Sequence, residues 1–381
     1  MFNYTQLDLI VLGTGGSLVL LTVLLTGFLV YSHLSYYTAP QAQTYIIRIA
    51  LMAPIYSINS MLSLCFHDYS LYFDVLRDCY EAFVLYQFFA LLLYYFNIEA
   101  TDYFPSNGDD KRLVELISSS LSDHESLNND DRTEFVIEEP VIVDTTIHYL
   151  SQIGLAKFPI PCCCIAPSVP GNRLFNCIRL CVYQYMVVKP LLSVIAMTLH
   201  LLDLYHPGSF DWRYGYLWIM IAMNLSVIVA LYYLIIFYNL THHIIKSHRP
   251  LSKLLSIKAV LFFLFWQTIL IEFLVYMSWI PPHCFDILGG LTSASINNLL
   301  IVVEMFILAI SNFFIFSNRE YKMSFLYTTL DPNADPDEIE MTGKKNHTTK
   351  RLKNMVNDVL NPMDLIKDGS QIIRGKDTKV L

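Results

Sequence analysis

Apolar residues in this chain come in long unbroken runs rather than in the alternation of a half-buried strand or the spacing of a helix with one wet face. Seven runs reach the roughly 20 residues a helix needs to cross about 30 Å of hydrocarbon: 9–30, 45–66, 79–98, 178–203, 214–240, 257–280 and 291–316. They predict an all-α bundle of seven transmembrane helices, with the two termini on opposite sides. The 241–258 link carries Lys246, Arg249, Lys253 and Lys258 without an acid, whereas 281–290 has no Lys or Arg. Basic loops stay in the cytosol, so the N-terminus is expected outside or lumenal and the C-terminus cytosolic. Arg319 and Lys322 after the last run agree, as do Trp212 and Trp279 at the expected outer boundary.

Two stretches break the apolar pattern. Between 102 and 144 stand twelve acids against three bases, with Ser and Asn runs, so 101–160 reads as a disordered, acidic cytosolic insert between helices 1–3 (1–100) and helices 4–7 (161–316). The tail 317–381 is polar, except that Asn361 and Pro362 open a short amphipathic helix with Met363, Leu365, Ile366, Ile372 and Ile373 near one face. That helix suits docking to a partner; lying on the membrane or on the protein's own loops is the alternative.

Composition sharpens the class. The chain of 381 residues is 54 % hydrophobic and 15 % charged, far below the roughly 25 % charge of soluble domains, and this marks a membrane protein. Its net charge is −8, with the acids concentrated in the insert and the tail, and no basic surface for nucleic acid results. The N-terminus has no basic region and carries Asp8, so the first run is expected to be a retained helix. Of the sequons at Asn3, Asn224, Asn239 and Asn346, only Asn3 falls on the glycosylating side, close to the first helix, so little or no glycan is expected.

Candidate chemistry begins with a charge in the wrong solvent. Lys189 stands half-way along its run, beside Pro190, at an insertion cost of roughly 2.5–3.5 kcal/mol. Glu272 and Glu304 stand at similar depth in the last two runs and are its expected partners, as a buried ion pair or as part of a solute path. Asn224 and Gln267 are further polar positions of that set. His67, Asp68, Asp74, Arg77, Asp78 and Glu81 gather about the second-to-third loop and read as a solvated loop with helix-end charges; one His is too few to favour a metal site. Cys162, Cys163 and Cys164 flank the membrane near basic residues, which suits S-acylation, with burial as small apolar groups the alternative. No nucleotide loop, HExxH or GxSxG is present, so neither an enzyme, a cofactor nor a metal is expected. Passive movement of solute is then the default, with proton coupling through Glu272 or Glu304 left open.

The motifs TAPQAQ at 38–43, YIIR at 45–48, APIY at 53–56 and RDCYEAF at 77–83 resemble the organic solute transporter alpha and transmembrane protein 184 family. So do PCCC at 161–164, QYMVVKP at 184–190, KAV at 258–260, FWQ at 265–267 and IVVEMF at 301–306, while NPMDL at 361–365 is similar to the tail of the transmembrane protein 184 branch. The resemblance implies seven helices, an outside N-terminus and acylation of Cys162, Cys163 and Cys164. It implies facilitative movement of amphipathic, steroid- or lipid-like solutes, an activity of the alpha branch, which works with a single-span beta subunit; a homo-oligomer is the other arrangement. For the closer branch it implies a vacuolar or endosomal membrane rather than the plasma membrane. There the expected role is a non-transporting adaptor whose tail helix recruits a ubiquitin-like autophagy protein. A heptahelical receptor gains no support, since Asn97, Ile98 and Glu99 follow the third run where a coupling signature would stand.

Overall fold

A computed structural model describes residues 6–36, 39–66, 69–103, 171–205, 212–213, 215–245, 267, 270–271, 274, 277, 293–317 and 359. Apart from short turns, these residues are helical: α1 Gln6–Ser35, α2 Pro40–Ala50, α3 Met52–Cys65, α4 Ser70–Tyr103, α5 Gly171–Leu201, α6 Gly215–Ile245 and α7 Ser293–Ile315. Six spans among the described residues are long and apolar enough to cross a membrane, with α2 and α3 together forming one of them, Pro40–Cys65. The expected run 257–280 is described only at a few positions, of which Gln267, Leu270, Ile271 and Leu274 are helical. Glu272, Cys162, Cys163 and Cys164, and the tail positions Met363, Leu365, Ile366, Ile372 and Ile373 lie outside the described residues.

Local chemistry explains where the second span starts and breaks. Pro40 occupies the first turn, where a missing N–H costs nothing. The Gln43 side chain accepts from the Ala39 N–H at 3.0 Å. Its amide donates to the carbonyls of His33 and Tyr36, at 3.1 and 2.8 Å, so one buried side chain joins the end of α1 to the start of α2. Pro54 cannot donate to the carbonyl of Ala50, and the helix breaks at Leu51, one turn ahead of it.

The largest departure from the predicted boundaries is α4, which starts at Ser70 rather than near Cys79. Asp74, Arg77, Asp78 and Glu81 are therefore helical and not part of a solvated loop. Their spacing of three and four residues puts them on one face, where Arg77 bonds Asp74 at 3.0 Å.

Packing runs from α6 to α5, then α4, then α3, then α7 and α1, with α2 and α6 also resting on α4. The core is consequently richest along α4, where Val84, Leu85, Phe88, Phe89, Leu92 and Phe96 are buried. Phe237 of α6 meets Phe89 edge-on at 5.5 Å. Large apolar side chains such as Leu24 and Phe28 of α1, Leu191 and Val194 of α5, Ile228 of α6 and Phe314 of α7 turn outward. An outer surface this apolar is expected against lipid chains, not against water.

At one end of the bundle, His33 of α1 contacts the carbonyl of Phe316 after α7, at 2.9 Å. The opposite end carries Cys65, Ser70, Leu201 and Gly215, and is called the Cys65 end below.

Candidate functional site

α4 and α5 run antiparallel, and the helix rise puts Glu81 and Lys189 at the same depth, each about 17 Å from the Cys65 end. The Lys189 ammonium lies 2.6 Å from Glu81 Oε2 and 3.3 Å from Asp78 Oδ1. Burial of an ammonium inside an apolar bundle is tolerable only with such partners. Among the described residues the acids that pair with Lys189 thus come from α4 and not from Glu304, while Glu272 lies outside the described residues. Glu304 sits half-buried on α7, and its Oε2 makes no hydrogen bond among the described residues.

Two tyrosines complete the cluster. Tyr185, one turn before Lys189 on the same face of α5, donates to Glu81 Oε1 at 2.8 Å, and its ring stands 5.7 Å from the ammonium. Tyr56 of α3 donates to Glu81 Oε2 at 3.5 Å. Glu81 is therefore the centre on which α3, α4 and α5 converge. Pro190 leaves the Met186 carbonyl without its usual helical donor, one turn below the ion pair.

The acids of α4 form a graded ladder. Side-chain exposure falls from 40 % at Asp74 to 29 % at Asp78 and 16 % at Glu81, and reaches 9 % at Lys189. Carboxylates are not stable against hydrocarbon, so the open side of this ladder requires water or a polar solute. Tyr205, in the link after α5, has its phenol pushed up to about 12, first by burial, then by Tyr216 and by Asp78 and Asp74.

The other expected residues are dispersed. Asn224 donates to the Met220 carbonyl at 2.8 Å, one turn back in its own helix. Gln267 donates to Asn297 Oδ1 at 2.9 Å, which ties its segment to α7. Other polar side chains join helices: Gln184 and Ser226 exchange two hydrogen bonds between α5 and α6, at 3.1 and 3.2 Å, and Asn298 donates to Ser63 between α7 and α3 at 3.0 Å. Among the described residues there is no group of three or more His, Cys, Asp or Glu arranged to hold a metal.

A second buried cation lies toward the opposite end. Arg48 of α2 donates through Nη1 to Gln87 Oε1 at 3.1 Å, and through Nε to the backbone carbonyl of Val359 in the tail at 3.2 Å. Its guanidinium lies 5.9 Å from the Phe83 ring, and its own carbonyl accepts from Tyr80 at 2.6 Å. The sequence marked Arg48 only as part of a motif.

The motif set that contains both cations is matched by a family model described as organic solute transporter Ostalpha, over residues 11–321. The chain belongs to that family. Within the Ostalpha family it is similar to a transmembrane protein 184 homolog of Dictyostelium discoideum, 30 % identical over 94 % of this chain and 66 % of the relative. It is also similar to Protein LAZ1 homolog 1 of Arabidopsis thaliana, 27 % identical over 87 % of this chain and 64 % of that protein. Protein LAZ1 homolog 2 of the same plant is 31 % identical over 84 % of this chain and 70 % of its own length. The chain thus spans about two thirds of the length of these curated relatives. No solved structure matches it. The Ostalpha match covers α1 to α7 except the first residues of α1, so the ion cluster, Arg48 and Gln87 lie within the matched region, whereas Val359 lies beyond it.

Proposed function

We propose that this Ostalpha-family membrane protein is a facilitative transporter of amphipathic organic solutes, steroid- or lipid-like in their apolar bodies. The observation that carries this reading is the ladder Asp74, Asp78, Glu81, Lys189, whose burial deepens stepwise from the Cys65 end to about mid-depth. A purely structural ion pair needs only its two charges, and has no use for a line of acids opening toward one end. A solute with a polar head would follow the ladder while its body rests at the outward apolar surface of α5, where Leu191 and Val194 stand. In this reading the Cys65 end faces outside or lumen, the C-terminus is cytosolic, and the protein is not an enzyme. A single-span beta subunit or a second copy is its expected partner within the bilayer. Reconstituted vesicles test it with amphiphiles bearing neutral, cationic and anionic heads. At least one should equilibrate faster than in protein-free vesicles, and Lys189→Ala should return that rate to the background. Background rates for every head group would remove the reading.

A second reading is favoured by the hydrogen bond between Arg48 and Val359, which seats the tail on the bundle just before Asn361. Here the protein is a vacuolar or endosomal adaptor, whose segment 361–373 recruits a ubiquitin-like autophagy protein. Removing 361–381 should then abolish recruitment of that protein while leaving the thermal midpoint of the purified protein unchanged. Recruitment that survives the truncation would exclude this role for the segment.

A further inference from the structure

The ladder does not balance its charges. Lys189 faces two carboxylates, while Arg77 is engaged by Asp74, so these five side chains carry one negative charge in excess. A solute anion arriving from the Cys65 end would meet that excess and would find the only ammonium of the cluster already held twice. A cation would meet the reverse field, which strengthens as the surroundings become less polar.

The two carboxylates around Lys189 also differ in what they can still bind. Both oxygens of Glu81 are engaged: the ammonium and the Tyr56 hydroxyl address Oε2, and the Tyr185 hydroxyl addresses Oε1. Asp78 meets Lys189 through Oδ1, at the longer distance of 3.3 Å, and is the more exposed of the pair. Its Oδ2 has no hydrogen-bond or ion-pair partner among the described residues, although a carboxylate can accept about four hydrogen bonds. The free acceptor therefore belongs to the more exposed of the two carboxylates, and the tight contact to the more buried one. Release of Lys189 from Asp78 leaves the ammonium still held by Glu81 at 2.6 Å.

We propose that Asp78 receives the charged head of a cationic amphiphile, a primary or secondary ammonium on an apolar body, while Glu81 retains Lys189. An ammonium of that kind supplies donors for Oδ2 and neutralises the excess charge as it enters. A divalent metal is a poorer occupant, because the described residues bring no third His, Cys or acid ligand into a metal-binding arrangement there.

This assignment of charge rests on the transport reading, and the experiment separates the two. The full chain is reconstituted into vesicles, and flux is followed for three amphiphiles that share one apolar skeleton and carry a primary ammonium, a hydroxyl or a sulfonate. The ammonium compound should move fastest in the wild type. Asp78→Asn should erase its lead over the hydroxyl compound, and Asp78→Glu should retain it. If the sulfonate leads, or the ammonium has no lead over the hydroxyl compound, transport stands and the cation assignment is overturned. A lead that persists in Asp78→Asn overturns the role of Asp78. If none of the three exceeds protein-free vesicles, transport and the assignment fall together. Should Asp78→Asn not fold, Asp78→Ser takes its place: loss of the ammonium lead supports the role of Asp78, and a lead that persists overturns it.

Discussion

Glu81→Ala is expected to destabilise the bundle by about 3–5 kcal/mol, the range for breaking one side of a buried ion pair. The variant removes the carboxylate nearest to Lys189 and leaves the ammonium with Asp78 alone, at 3.3 Å on the more exposed side. It also strips the acceptor from Tyr185 and Tyr56, two phenols buried between α3, α4 and α5. Each loss falls on a group that water cannot reach to compensate. Glu81→Gln should cost clearly less. It keeps an oxygen for a tyrosine, and Asp78 still supplies a counter-charge. Unfolding of the purified protein in mixed micelles, titrated with a denaturing detergent, measures both variants against the wild type. An alanine variant within about 1 kcal/mol of the wild type, the ordinary worth of an exposed pair, would show that the cluster is hydrated and does not brace the helices.

Much of the architecture was legible because the membrane imposes it. A run of about twenty apolar residues has no other stable use at this length, so six spans were locatable, five of them to within about two turns of their ends and α4 with its start displaced to Ser70. Lys189 was legible for the same reason, since a cation inside such a run requires a partner. Asp78 and Glu81 were not legible as its partners because depth is inferred from position within apolar runs. Glu272 and Glu304 stand inside such runs, whereas Asp78 and Glu81 precede the most apolar part of α4 and resemble boundary residues. The 34-residue α4 is longer than a bilayer requires, so a residue eleven places from its start still lies deep in the bundle. The usable signal was the spacing of 74, 77, 78 and 81, which lines one helical face and ends at a buried apolar stretch. Tyr185 was findable as the residue one turn before Lys189. Tyr56 was not, because its contact with Glu81 depends on how α3 crosses α4, which no local pattern encodes.

Arg48 carries the other large effect, and it links the bundle to the tail. The side chain is only 2 % exposed, and from α2 its donors reach two other parts of the chain, Gln87 of α4 and the Val359 carbonyl of the tail. Hydrogen bonds from a charged group contribute about 1.5–3 kcal/mol each, and truncation also leaves the Phe83 ring beside an unfilled space. Arg48→Ala should therefore lower stability by about 3 kcal/mol or more. Arg48→Lys separates the two jobs. A lysine retains the charge near Phe83 but offers one ammonium in place of a planar fork, so it cannot address Gln87 and Val359 with the same geometry. The bundle of that variant should lose less stability than the alanine variant, while its tail is cut faster by a protease that is limiting for the wild type. Immunoblotting against a C-terminal tag, alongside a tag at the N-terminus, reads tail cleavage separately from unfolding. If the tail of Arg48→Lys is protected as well as that of the wild type, the Arg48 hydrogen bond is not what seats Val359, and the tail must be held to the bundle by other contacts.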